Sequence, residues 1–426
     1  MITTTVISLA GLIVLVAAAA SGYRKMCQRR VARALAITTP RGITESGYVR
    51  IGGIDQWIQI RGEDRANPVL LFLHGSGMTM TPFTPIYRDW EQHYTVVQWD
   101  RRGTGRTLRA NPGGSDQLTH DLMAADGIEV AEYLREHLGT SKIVLLGHSQ
   151  GSIVGILMAQ RRPDLFHAYV GTGQVTDMAR NEAENYPLAV QRAHAAGHRK
   201  ATRELAKIGP GPYPAARTWL IKQRWSFSTD PELRAFGKQQ TRMLLTAPDM
   251  TLRDIYRFNL AFTFFPQPLY DELMHWDSRQ GGTRFAIPFF LLHGDTDPHT
   301  LTHLAAEYFA GIEAPVKDLA LLPGSGHCAV LAQPGAFLAE LRTCLDPITA
   351  AQACTRTSEH LSCRRSAQGR GPRRPSRDRT DRHRLGRGSQ RPPERCHRVQ
   401  GHPVRGHPRH LQPPRRREEH GRYLEL

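Results

Sequence analysis

Ile143-Val144-Leu145-Leu146-Gly147-His148-Ser149-Gln150-Gly151-Ser152-Ile153-Val154 is the stretch on which the fold turns. Its first four residues are all apolar, which reads as a strand buried on both faces. Such strands belong to a parallel sheet covered by helices on each side. After Gly151, the apolar residues from Ile153 to Met158 begin a helix that stops near Pro163. Between strand and helix lies Gly-x-Ser-x-Gly, from Gly147 to Gly151. As a bare string the pattern carries little weight. In this setting it carries much, because a sharp strand-to-helix turn flanked by glycines lifts a serine hydroxyl above the sheet edge. The helix N-terminus behind it favours developing negative charge. Ser149 is the candidate nucleophile.

The same rhythm extends outward in both directions. Tyr48–Ile51 and Gln56–Ile60 flank Gly52-Gly53 as a hairpin. Val69–Leu73 and Tyr94–Trp99 are short apolar runs that end in His74-Gly75 and Asp100. Leu118 to Leu138 has helical periodicity and closes on Gly139. Ala168–Val170, Pro288–Leu292 and Leu319–Leu322 read as further strands, with helices near Leu301–Phe309 and Pro334–Leu341. From Thr176 to Thr283 the alternation lapses into helical, aromatic-rich sequence that includes Trp219, Trp225, Tyr256 and Phe258. We therefore expect one α/β domain, with its core at 45–175 and 284–346 and a helical cap at 176–283 inserted between.

A serine hydroxyl needs a base to attack at neutral pH, and the base needs an orienting acid. With a nucleophile elbow the expected chain order is Ser, acid, His, the last two at later strand ends. His327 follows the strand ending at Leu322 in a Gly324-Ser325-Gly326-His327 turn, and is the expected base in preference to His293 or His299. Asp297 is the expected acid. It stands three residues after Gly294, so the loop can bend its carboxylate back, whereas Asp295 suits a loop-capping role. Two backbone donors should face the developing oxyanion. These are the N–H of Gln150 and one from the loop after Val69–Leu73, with Ser76 first and Gly77 next. His74, Arg101, Arg102 and Arg106 read as loop-bracing residues.

The stretch from about Glu45 to Leu345 resembles the α/β-hydrolase fold. Within it, the His74-Gly75 loop, the run Trp99-Asp100-Arg101-Arg102-Gly103-Thr104-Gly105-Arg106-Thr107 and the Gly147–Gly151 elbow resemble the prolyl aminopeptidase (proline iminopeptidase) group of serine peptidases. That group usually has His-Gly-Gly-Pro-Gly, where this chain reads His74-Gly75-Ser76-Gly77-Met78. The residue after its nucleophile is often Trp, where this chain has Gln150. The resemblance implies a triad hydrolase, with cleavage of an N-terminal proline less firmly implied. An aminopeptidase needs acids to hold the substrate ammonium, and Glu182 and Glu184, with Asp177, open the cap. The alternative for these acids is a solvated face paired with Arg180 or Arg192. A carboxylesterase is the alternative within the class, and a non-catalytic binding protein on the same fold lies outside it. Epoxide hydrolases and haloalkane dehalogenases would place Asp at position 149. We expect no cofactor and no metal, since there is no phosphate loop with its lysine, no His-Glu-x-x-His and no Cys-x-x-Cys.

Composition agrees with a globular protein. The 426 residues are 40% hydrophobic and 22% charged, and six cysteines are too few for a disulfide scaffold. The net charge of +17 would suggest a nucleic-acid partner if it were evenly spread, but +13 of it lies in 347–426. That tail is rich in Arg, Pro, Gly and His and lacks Lys, Phe, Trp and Met, so it should be disordered. It could bind nucleic acid or an acidic membrane surface, or be a GC-rich gene read out of frame. The last is the preferred reading, and a nucleic-acid role is disfavoured. At the other end, Ile2–Ala20 is uncharged and apolar, and is followed by Arg24, Lys25, Arg29, Arg30 and Arg33. We expect residues 1–22 to be a transmembrane anchor and 23–44 a linker, with the domain on the cytoplasmic side. A cleaved signal peptide is the rival, though it lacks a basic n-region.

Overall fold

The computed structural model describes residues 2–77, 79–112, 118–261 and 265–349, with the side chains of 2–10 left aside. Eight strands form one sheet: β1 (Ile43–Ile51), β2 (Ile54–Gly62), β3 (Val69–Leu73), β4 (Thr95–Asp100), β5 (Ile143–His148), β6 (Phe166–Thr172), β7 (Phe289–Gly294) and β8 (Lys317–Leu322). Their spatial order is β1-β2-β4-β3-β5-β6-β7-β8. The hairpin β1–β2 turns through Gly52 and Gly53, both at positive φ, and joins β4 antiparallel. From β4 onward the neighbours run parallel.

Apolar runs make this a two-faced sheet. Along β3, Leu71 and Leu73 belong to one apolar cluster, while Leu70 and Phe72 belong to the other. Alternate side chains of a strand point to opposite faces, so a strand that is apolar throughout needs cover on both. That cover includes α3 (His120–Leu138), α4 (Gln150–Arg161), α11 (Thr302–Ala310) and the helix at 334–349, which we call α13. Two short helices, α2 (Gly105–Ala110) and α12 (Ala329–Ala332), lie in the connections after β4 and β8. Thr119 caps α3 by accepting from the Leu122 N–H, and Gly139 ends it in the left-handed conformation.

Between β6 and β7 the chain leaves the sheet and builds six helices: α5 (Met178–Ala195), α6 (Arg199–Ile208), α7 (Ala216–Thr229), α8 (Pro231–Thr246), α9 (Leu252–Ala261) and α10 (Gln267–Met274). They form the cap over the sheet's C-terminal edge. Side chains of the cap reach down to backbone of the core: Asn181 and Asn185 to the loop after β7, Glu232 to the loop after β8, and Glu272 to the start of α3.

The N-terminal helix α1 (Ile2–Ala34) runs without a break from the expected anchor into the first half of the residues read as a linker. Its second half lies on the body. Arg24 donates to the Met250 carbonyl at 2.5 Å, and Gln28 donates to Ala247 and Met250 at 2.8 and 3.0 Å. The expected membrane span is corrected here: among the described residues, no helix is long and apolar enough to cross a membrane. Residues 11–20 are exposed and apolar, the basic run begins at Arg24, and the side chains of 2–10 lie outside the described residues. The readings of the tail beyond Thr349 also fall outside them.

Candidate active site

β3 and β5 are neighbours from which the chain departs in opposite directions, to β4 on one side and β6 on the other. Ligand crevices in parallel sheets open at such a reversal, beyond the strands' C-terminal ends. Register pairs Leu73 with Gly147, which sets the loop after β3 beside the turn after β5. A Cβ added at Gly75 would lie 3.3 Å from the Ser149 Cβ.

Ser149 occupies that turn at φ 53° and ψ −127°. Among the described residues it alone combines a side chain with positive φ, a conformation that costs on the order of 1–3 kcal/mol. The flanking glycines permit it. A Cβ at Gly151 would sit 2.0 Å from the Leu73 carbonyl oxygen and 2.6 Å from that of His74, and one at Gly147 would sit 2.8 Å from the Ser152 Cα. Helix α4 can therefore start hard against β3 only with glycine at both places.

The ends of β7 and β8 bring two further groups to Ser149. His327 Nε2 lies 3.1 Å from Ser149 Oγ, and His327 Nδ1 lies 2.9 Å from Asp297 Oδ2. Asp297 is buried and heavily hydrogen-bonded. Its Oδ1 accepts from the His299 and Thr300 N–H groups at 2.7 and 2.9 Å, and its Oδ2 accepts from the Thr300 hydroxyl at 2.7 Å. Burial alone would raise its pKa. The nearby charge and hydrogen bond of His327, with His293 and His299, hold it well below the usual carboxylate range. Burial would likewise lower the pKa of His327, but Asp297, Glu232 and Asp230 outweigh it and raise the value. For His148 the balance is reversed: burial and the His327 charge outweigh the His327 carbonyl and Asp297 and push it down to about 3, so it stays neutral. The arrangement is a serine hydroxyl facing the free nitrogen of an imidazole whose other nitrogen is held by an ionised carboxylate. Such a set can take a proton from the hydroxyl and hold it as imidazolium.

The match to the alpha/beta hydrolase family model spans residues 70–341. The chain belongs to this family. The hydrolase is 29% identical over 304 residues to a probable aminopeptidase, YbaC, of Bacillus subtilis (strain 168), a match that covers 67% of this chain and 92% of that one. It is 24% identical over 263 residues to a putative esterase/lipase of Haemophilus influenzae, covering 61% and 77% of the two chains. The crystal structure of a proline iminopeptidase-related protein from Thermus thermophilus shares the fold, with a TM-score of 0.51 at 22% identity over 72% of this chain and 99% of that one.

The other expected site residues of the hydrolase fall in different places. Gln150 is the first residue of α4, where a backbone N–H has no acceptor within its own helix. Its side-chain Nε2 lies 3.2 Å from His120 Nε2. Ser76 is half-buried in the loop that passes Ser149. Glu182 is buried in an ion pair with the fully buried Lys222 at 2.8 Å. Glu184 lies at the surface, 2.7 Å from His303 and 3.6 Å from Arg180. The two acids are thus not brought together.

Three residues near Ser149 escaped the sequence reading. Thr300 steadies Asp297, and the spacing Asp297-Pro298-His299-Thr300 could have marked a turn closed on an aspartate. Glu232, from cap helix α8, accepts from the Gly326 and Cys328 N–H groups at 2.9 and 3.2 Å and so grips both sides of His327. Phe227 stacks on His299 with ring centroids 4.4 Å apart, and His299 stands against His327. Nothing local to Glu232 or Phe227 announces these contacts, which exist only once the cap has docked.

Proposed function

We propose that this α/β hydrolase is a serine hydrolase that works through an acyl-enzyme. Ser149 Oγ attacks a substrate carbonyl carbon while its proton passes to His327 Nε2. Asp297 keeps the imidazole oriented and stabilises the imidazolium. The tetrahedral oxyanion is received by the N–H groups of Gln150 and Ser76. Collapse breaks the bond to the leaving group, which departs with the proton from His327. Water then attacks the acyl-Ser149 ester, gives its proton to His327, and the acid product leaves as the serine is restored. The observation that carries this reading is the chain of contacts from Ser149 Oγ through His327 to Asp297, at 3.1 and 2.9 Å.

The substrate class we favour is the N-terminus of a peptide or a small amide, supported by the likeness to a probable aminopeptidase over most of both chains. A small ester is the second reading, and one observation favours it. Glu182 is already paired with Lys222, and Glu184 is engaged at the surface, so neither offers a free carboxylate to a substrate ammonium.

Treatment with a fluorophosphonate, followed by peptide mapping, tests the mechanism. The native protein should be labelled at Ser149. Ser149→Ala should be unlabelled, with kcat reduced about 10⁶-fold. A folded native protein that stays unlabelled would sink the reading. Turnover of proline and alanine arylamides against short p-nitrophenyl esters then separates the two substrate classes.

A further inference from the structure

Arg101 takes no part in the steps above, yet it is the most deeply buried cation beside them, 1% exposed at the end of β4. Its neighbours have acids: Arg102 pairs with Asp126 at 2.9 Å and Arg106 with Asp249 at 3.7 Å. Arg101 has none among the described residues. Its Nη2 donates to the carbonyl oxygens of His74 at 2.6 Å and Gly75 at 3.1 Å, while Nη1 touches the Met123 sulfur at 3.7 Å. Burial pushes its pKa down to about 9, so it still carries its charge at neutral pH. Burying a cation without a carboxylate is costly, and carbonyl dipoles are what compensates it here.

Those two carbonyls belong to the loop that skirts Ser149. In a trans peptide the N–H points away from the C=O of the same unit. Holding the Gly75 carbonyl toward Arg101 turns the Ser76 N–H the opposite way. The His74 ring reinforces the turn, with Nδ1 2.8 Å from the same Gly75 oxygen. Gly75 itself borders Ser149, where an added Cβ would approach the serine Cβ to 3.3 Å.

We propose that Arg101 is a positioning residue for the oxyanion pocket: its guanidinium clamps the His74 and Gly75 carbonyls and so presents the Ser76 N–H to the tetrahedral intermediate. This rests on the acyl-enzyme reading of Ser149. It acts through the loop and makes no contact with substrate. A donor that engages only the transition state changes kcat and leaves ground-state binding alone.

The test uses the full chain. Arg101→Met should lower kcat about 10²-fold, the scale of one lost oxyanion donor, with KM little changed. Binding of a boronic acid that forms a tetrahedral adduct on Ser149 should weaken by a similar factor, while a product-like competitive inhibitor binds as before. Arg101→Lys should fall between native and Met, because it restores charge without the fork. Millimolar guanidinium should restore part of the activity of Arg101→Ala. A folded Arg101→Met with native kcat overturns the proposal, as does an equal loss of boronate and product binding. Should the variants not fold, a crystal structure of the native protein with the boronate decides. A boronate oxygen within about 2.7–3.1 Å of the Ser76 nitrogen, with Arg101 still on Gly75, supports the clamp, and an oxygen placed elsewhere overturns it. If the native protein itself is neither labelled nor active, it is the reading of Ser149 that has failed.

Discussion

At the scale of single residues, the proposed mechanism makes the charge around His327 govern when the hydrolase can work. In the proposed mechanism the base form of His327 is the working form, and its pKa stands above the usual histidine value because Asp297, Glu232 and Asp230 outweigh burial. The buried His148, His293 and His299 are held toward their neutral forms and oppose that rise only weakly. Activity should therefore be gained as pH rises through a value above that of a free imidazole. Asp297→Asn should move this acid limb to lower pH and reduce kcat about 10⁴-fold. Glu232→Gln should move it the same way by less, and a pH profile of kcat/KM that stayed in place for both variants would contradict the assignment. Ser149, Asp297 and His327 were legible in the sequence because each follows a strand end in a glycine-containing turn, where a parallel sheet opens its crevice. Glu232 and Thr300 were not, or only barely. Their roles are contacts across loops that local pattern does not encode.

At the scale of elements, the apolar runs placed the strands well. Val69–Leu73 was read with the bounds it has, and the others shifted by a few residues at their ends. Such runs are legible because a strand buried on both faces has no polar side to blur them. The cap was visible only as a lapse in rhythm. Its helices pack on one another and on the sheet, so their order and contacts depend on tertiary fit. At the N-terminus the apolar run reads as a span, but among the described residues no helix is long and apolar enough to cross a membrane, and the helix continues to Ala34 with its polar half docked near Met250. The junction of β5 and α4 gives the sharpest test at this scale. Gly151→Ala would drive a methyl into the backbone oxygens of Leu73 and His74, atoms fixed by the sheet. We expect a loss of about 3 kcal/mol or more, read as a lower urea midpoint, with fluorophosphonate labelling of any folded protein reduced. Unchanged unfolding would mean that α4 can leave the sheet less tightly than described.

At the scale of the whole molecule, the cap interrupts the chain between β6 and β7, so the proposed nucleophile is separated in sequence from its partners. Ser149 lies before the interruption, and Asp297 and His327 lie after it. Within the cap, Gly209 to Pro212 is a stretch between helices α6 and α7 with Pro210 and Pro212 exposed. A break in such a connection is the kind a folded chain tolerates. Cut after Gly209, one piece would carry six strands and the hydroxyl, the other two strands with the imidazole and carboxylate. We expect neither piece alone to react with a fluorophosphonate and the two expressed together to recover labelling at Ser149. Labelling of the first piece alone at the native rate would show that the hydroxyl needs no help from β7 and β8. Joined to two other proteins, the halves would turn an encounter between those proteins into a catalytic signal, so the same interruption that hides the site from local sequence would make the enzyme a two-part reporter.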